Sequence, residues 1–142
     1  MPAPTDPQLE TLSRVPLFAN LKPKHLRSIS DAGRRSSYEP GQKIVRKGEE
    51  GNSLYLILDG EVEVRSGARV LASLGKRNFF GEIALLDNRP RSADIVAVAP
   101  TTCLMITARS FERIIHDDPS IIQEIISELI RRLRKANVAM TD

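Results

Sequence analysis

Phe79-Phe80-Gly81-Glu82-Ile83-Ala84-Leu85-Leu86-Asp87-Asn88-Arg89-Pro90-Arg91-Ser92-Ala93-Asp94 is the stretch on which the fold and chemistry of this chain turn. Gly81 stands directly before Glu82 to Leu86, a short run that favours helix. That order leaves free backbone N–H groups, and the positive end of a helix dipole, at Gly81, Glu82 and their neighbours. Such a terminus is an anion site without further help. Asp87-Asn88-Arg89-Pro90 reads as a turn, and Arg91 and Ser92 then lead into a strand. A guanidinium, a hydroxyl and a helix N-terminus can therefore converge on one point, a grouping that suits a phosphate oxyanion. Glu82 is the exception, because an anion gains nothing by facing phosphate. Its carboxylate is better explained as an acceptor for a neighbouring hydroxyl, as on a ribose.

Upstream of this stretch the apolar pattern has a period of two. Lys43 to Arg46, Ser53 to Leu58, Glu61 to Arg65 and Arg69 to Leu74 read as strands. Turns are expected at Pro40-Gly41, Lys47 to Asn52 and Ser66-Gly67, with a hairpin at Asp59-Gly60. Downstream, Ile95 to Ala99 and Thr101 to Thr107 are strands split by Pro100. Short strands with glycine turns at this spacing argue for an antiparallel barrel or sandwich. Helical patterns flank it. Gln8 to Val15 and Leu21 to Ala32 precede the strands, the second closed by Gly33. Ser110 is placed to cap a helix over Phe111 to His116, and Pro119 opens a final helix to about Asn137. Ile121, Ile122, Ile125, Ile126, Leu129, Ile130, Leu133 and Ala136 give that helix an apolar stripe wider than docking needs. Met1 to Pro7 holds three prolines and no periodicity, so residues 1–7 are expected as a flexible tail and 8–142 as one domain.

Composition bounds the function. A chain of 142 residues with 41% hydrophobic content can bury a real core, filled by aliphatic side chains because tryptophan is absent. No apolar run is long enough to span a bilayer and the N-terminus is not a signal peptide, so no membrane role is expected. The lone Cys103 excludes an internal disulfide, which makes a cytoplasmic setting the natural one. A net charge of +3 is too small to argue for nucleic acid. His25 and His116 are far apart in sequence, so a metal centre is not expected. No Ser/His/Asp or Cys/His set has catalytic spacing, so the chain reads as a non-enzyme. Cys103, within an apolar run, reads as core.

The stretch from Phe80 to Ala93 resembles the phosphate-binding cassette of the cyclic nucleotide-binding domain family. That family includes the regulatory subunits of cyclic-AMP-dependent protein kinase, the catabolite activator protein and cyclic-nucleotide-gated channels. The match runs through Phe80, Gly81, Glu82, Ile83, Ala84, Leu85, Pro90, Arg91, Ser92 and Ala93, and departs at Asp94, where the family often has a hydroxyl. The Pro-Gly, Lys-Gly-x-x-Gly and Tyr-Leu-Ile-Leu-x-Gly order upstream resembles the family's β-roll. At Arg77 and Asn78 the family often has glycine and aspartate, so this loop is expected to be less tight or more basic.

The resemblance implies a mainly β, α+β fold: an antiparallel, jelly-roll-like β-roll with N-terminal helices and a C-terminal lid helix. It implies a regulatory module binding a 3′,5′-cyclic nucleotide, cyclic AMP favoured and cyclic GMP compatible with Ser92, with no cofactor beyond that ligand. Arg91, Ser92 and the backbone from Gly81 to Ala84 would hold the cyclic phosphate, and Glu82 the ribose 2′-OH. Phe80, Ile83, Ala93 and Leu74 would complete the site, and Leu129 and Leu133, with Arg132 or Arg134, would close over the base. Asp94 is expected to be a solvent or loop partner, since an inward carboxylate would repel phosphate. Two alternatives stand beside this one. A cassette-bearing module without nucleotide could use its wide C-terminal stripe for a homodimer or a partner protein. The chain could also be the sensor part of a transcription factor of the catabolite-activator type, although no room follows Asn137 for a helix-turn-helix.

Overall fold

Ser53 to Leu58 is apolar at nearly every position because its strand is covered on both faces. In the computed structural model, β3 (Ser53–Asp59) sends Leu54 and Leu56 into one core cluster and Tyr55 and Ile57 into another. The structure describes residues 6–87 and 89–141, with side chains to residue 136. The expected tail therefore lies outside the described residues at 1–5, as does the turn residue Asn88.

Eight antiparallel strands form two four-stranded sheets. Beside β3 they are β1 (Arg34–Tyr38), β2 (Lys43–Val45), β4 (Glu61–Ser66), β5 (Arg69–Gly75), β6 (Phe79–Phe80), β7 (Asp94–Ala97) and β8 (Thr101–Thr107). One sheet runs β1-β8-β3-β6 and the other β2-β7-β4-β5. The pairs β1–β8, β2–β7, β3–β6 and β4–β5 nest inside one another, which is the pairing of a rolled-up hairpin. Val45, Tyr55, Ile57, Val62, Phe80, Ile95 and Cys103 fill the roll. Burial pushes the Cys103 thiol up to about 12, consistent with a core role rather than a reactive one.

The helices cover the outer face of the β1-β8-β3-β6 sheet. α1 (Pro7–Ser13) starts within the stretch expected as tail, capped by the Asp6 carboxylate, which accepts from Gln8 N at 2.9 Å. A 3-10 turn at Pro16–Phe18 follows, then α2 (Pro23–Asp31), α3 (Ala108–Asp117) and α4 (Ser120–Thr141). Leu12, Phe18, Ile29, Phe111, Ile121 and Ile125 pack with Leu54, Leu56, Leu104 and Ile106 of the sheet.

Four expectations need correction. Asp59-Gly60 is no hairpin: β3 and β4 belong to different sheets, so Gly60 is the corner where the chain changes sheet. Its φ is +101°, and a Cβ there would lie 2.5 Å from Pro100 O and 2.6 Å from Thr101 Cα. Gly60→Ala combines left-handed strain with overpacking, and should lower stability by about 2–4 kcal/mol. Thermal unfolding checks this, and an unchanged midpoint would contradict the corner's tightness. Second, α2 closes at Ala32 in right-handed geometry, while Gly33 serves contact with Leu104, whose Cγ would lie 2.6 Å from an added Cβ. Third, the α3 cap is Thr107, whose hydroxyl accepts from Ser110 N at 3.0 Å. Fourth, the loop after β5 is tight. Arg77 takes a φ of +75°, and Asn78 both donates its N–H to Gly75 O (2.9 Å) and accepts from Gly75 N (2.8 Å).

Candidate functional site

The cassette is built by a change of direction at Gly81. β6 ends at Phe80, whose ring stacks on Tyr55 with centroids 4.8 Å apart. Gly81 then turns the chain with a φ of +86°, and Glu82–Leu85 forms one 3-10 turn. This is shorter than the helix expected from Glu82 to Leu86. The first N–H groups of the turn still lack partners within it, but so few aligned peptides carry little dipole.

Arg91 lies against that corner. Its Nη2 donates to Ser53 O at 2.9 Å, and its Nη1 would be 2.8 Å from a Cβ at Gly81. Only a glycine lets the guanidinium and the turn's N–H groups face the same space. The Lys47 to Gly51 loop fixes the backbone of Arg91. Arg91 N donates to Glu49 O at 2.7 Å, Gly48 N to Arg91 O at 2.8 Å, and Gly51 N to Arg89 O at 3.1 Å. Burial lowers the Arg91 pKa, while Tyr55 and Glu49 work to raise it. Arginine stays charged through such shifts, so a half-buried cation faces the cavity. The sequence marked Lys47 to Asn52 as a turn but gave no sign that it backs Arg91.

Glu82 and Arg91 form no ion pair with each other, so mutual pairing explains neither residue. Glu82 Oε2 is buried without any hydrogen-bond partner among the described residues. Burial raises its carboxyl above the ordinary 4.5, while a hydrogen bond from the Leu17 backbone and the charge of Arg132 oppose the shift. A buried acceptor with no donor is an arrangement that needs an explanation. Asp94 points away from this chemistry. It accepts from Lys47 N at 2.7 Å and Lys43 Nζ at 3.2 Å, and these bonds hold its carboxyl below the usual range. It is a loop partner, as expected.

Phe80, Gly81, Glu82, Ile83, Ala84, Arg91, Ser92 and Ala93 all line one cavity of about 460 Å³, within the range of small-molecule sites. Val45, Val64 and Ile95 supply its apolar wall. Two residues expected at the site lie elsewhere. Leu74 packs against the core of the roll, and Leu133 stands 62% exposed on α4. No group of His, Cys, Asp and Glu among the described residues could hold a metal ion.

The sequence model of the cyclic nucleotide-binding domain family matches residues 35–118, more than half of the chain. The chain belongs to that family. This cyclic nucleotide-binding domain is 34% identical over 104 residues to a cAMP-dependent protein kinase regulatory subunit of Hypocrea atroviridis. The match covers 73% of the chain but only 22% of that relative, so the chain spans about a fifth of the relative's length. Among solved structures it resembles the N-terminal domain of a transcriptional regulator from Streptomyces coelicolor A3(2), with a TM-score of 0.82 and 27% identity, over 94% of this chain and 96% of that one. It also resembles the catabolite activator protein of Thermus thermophilus, with a TM-score of 0.66 and 34% identity, over 89% of this chain and 62% of that one. The domain is thus a β-roll of the regulatory, nucleotide-binding type. No described helix is long and apolar enough to cross a membrane.

Proposed function

We propose that the domain binds a 3′,5′-cyclic nucleotide in the cassette cavity, with cyclic AMP preferred, and signals occupancy through α4. The observation that carries this is one cavity lined by both Arg91, at the Gly81 corner, and Glu82, whose Oε2 is buried without a partner among the described residues. The cyclic phosphate meets Arg91 and the N–H groups of the 3-10 turn, with Ser92 within the same wall. The ribose 2′-OH donates to Glu82 Oε2. A cyclic phosphate carries a single charge, so one arginine is sufficient. The kinase regulatory subunit among the relatives supports cyclic AMP. No step of this reading is catalytic. Calorimetric titration with cyclic AMP and cyclic GMP side by side tests it, and no heat with either ligand would overturn it. The exposed apolar positions of α4 favour a second reading, a homodimer or partner contact through that helix.

The role of Glu82 has a direct test. Glu82→Gln should weaken cyclic AMP by about tenfold, the scale of one hydrogen bond to a charged group, and leave the 2′-deoxy analogue nearly unchanged. Equal losses would make Glu82 structural. The same carboxyl predicts a pH effect. Its folded value is raised, so the unliganded site takes up a proton as pH falls toward that value, and affinity declines there because the ribose hydroxyl requires an ionised acceptor. Glu82→Gln should remove this decline.

Ser92 is exposed beside the phosphate wall, with a hydroxyl able to donate or accept toward a base edge. Ser92→Ala should cost cyclic GMP more than cyclic AMP in a competition assay. A reversed or equal effect would confine Ser92 to the phosphate.

A further inference from the structure

His25 sits on α2 with 2% of its surface exposed, held between two carboxylates. Its Nδ1 is 2.9 Å from Glu124 Oε2 and its Nε2 is 2.8 Å from Asp118 Oδ2. Ionised carboxylates only accept hydrogen bonds. A neutral imidazole has one donor, so one of the two contacts would set a nitrogen lone pair against a carboxylate oxygen. Both contacts are satisfied together only when the ring carries both protons. The hydroxyl of Ser120 approaches Nε2 at 3.4 Å, but donates to Asp118 Oδ1. Among the described residues, no lysine or arginine forms an ion pair with Asp118 or Glu124, so a doubly protonated ring would be their counter-charge. These groups come from three places: α2, the α3–α4 turn and the first turns of α4. Beyond residue 128 the helix offers exposed apolar positions instead of packed ones.

We propose that His25, Asp118 and Glu124 form a proton-operated latch fixing the start of α4 to the N-terminal helices. The sign follows from the donor count. The latch is complete while the ring is doubly protonated and both carboxylates are ionised. It weakens as pH rises and the ring loses a proton, and again in acid as the carboxylates gain theirs. The latch acts on the base of the helix and is independent of which ligand the cavity takes.

Amide exchange on the full chain without nucleotide tests it. After correction for intrinsic rates, protection of amides 122–128 should be about tenfold higher near pH 5.5 than near pH 8.5, the scale of one charge-assisted contact. Ring ¹⁵N shifts of His25 should show two protonated nitrogens in the high-protection state. In Glu124→Gln the side-chain amide can meet either form of the ring, so the pH dependence should fall below about threefold. His116→Gln, altering the exposed histidine, should keep the full dependence. Equal protection at both pH values in the unmodified chain would overturn the latch. So would an undiminished dependence in Glu124→Gln, or a ring that titrates without any response from α4. Nucleotide is absent from every arm, so failure here leaves the ligand assignment untouched.

Discussion

Arg91→Ala should weaken cyclic-nucleotide binding by about tenfold to a hundredfold, while the roll stays folded. Charge-assisted hydrogen bonds contribute roughly 1.5–3 kcal/mol, and the phosphate left facing an apolar wall loses more. The fold should survive because the only hydrogen bond that the Arg91 side chain makes among the described residues is to Ser53 O. That carbonyl is a lesser loss than a cavity in the core. Arg91→Lys should recover only part of the affinity. An ammonium can reach one oxygen as a point charge, but cannot donate to Ser53 O and to phosphate through one planar fork. Titration of both variants, with thermal unfolding as a control, checks this. Unchanged affinity in Arg91→Ala would remove the Gly81 corner from the binding site.

Much of the architecture was legible because local signals and burial agreed. The apolar run from Ser53 to Leu58 marked a strand, though not its burial on both faces, and the cassette residues from Phe80 to Ala93 line a common cavity. The failures share a cause: each depends on what lies across the fold. Asp59-Gly60 has the composition of a hairpin, but only the sheet pairing reveals a corner pressed against Pro100 and Thr101. Thr107 and Ser110 are both good caps, and the end of β8 decides between them. Arg77 accepts a left-handed conformation because Arg77 N donates to Ile57 O and Ile57 N to Asn78 O, at 3.0 and 2.9 Å. His25 could not be recognised as a clamp, because its two carboxylates lie about a hundred residues away in sequence. The orphaned oxygen of Glu82 is likewise a product of burial, whereas the sequence offered only the mismatch between a carboxylate and a phosphate.

The other large effect is expected at the end of α4. Ile121 and Ile125 are buried in the core, and Glu128 closes that packed face. Its carboxylate accepts from Asn20 at 2.9 Å and from Arg131 and Arg132, whose bonds pull its pKa down to about 2. Past this anchor the packing stops: Leu129 is 40% exposed, Ile130 44% and Leu133 62%. Turns held only by their own hydrogen bonds are marginal in water. The charge of Arg132 nevertheless acts on Glu82, one of the residues that line the cavity. A bound base would give the surplus leucines an apolar surface, and burying each partly is worth about 1 kcal/mol. Leu129→Ser with Leu133→Ser should therefore leave folding stability nearly unchanged, since both are exposed in the free state, yet weaken binding by about tenfold or more. Exchange on the unmodified chain should agree. Protection from Leu129 to Ala136 should rise with nucleotide, while Ser53 to Leu58 stays protected throughout, because ligand favours only conformers in which it has added contacts. If the double variant binds normally and the helix end ignores nucleotide, the stripe serves a partner. The same two serines should then lower the apparent mass of the chain in solution, since a homodimer built on that face would lose its apolar centre.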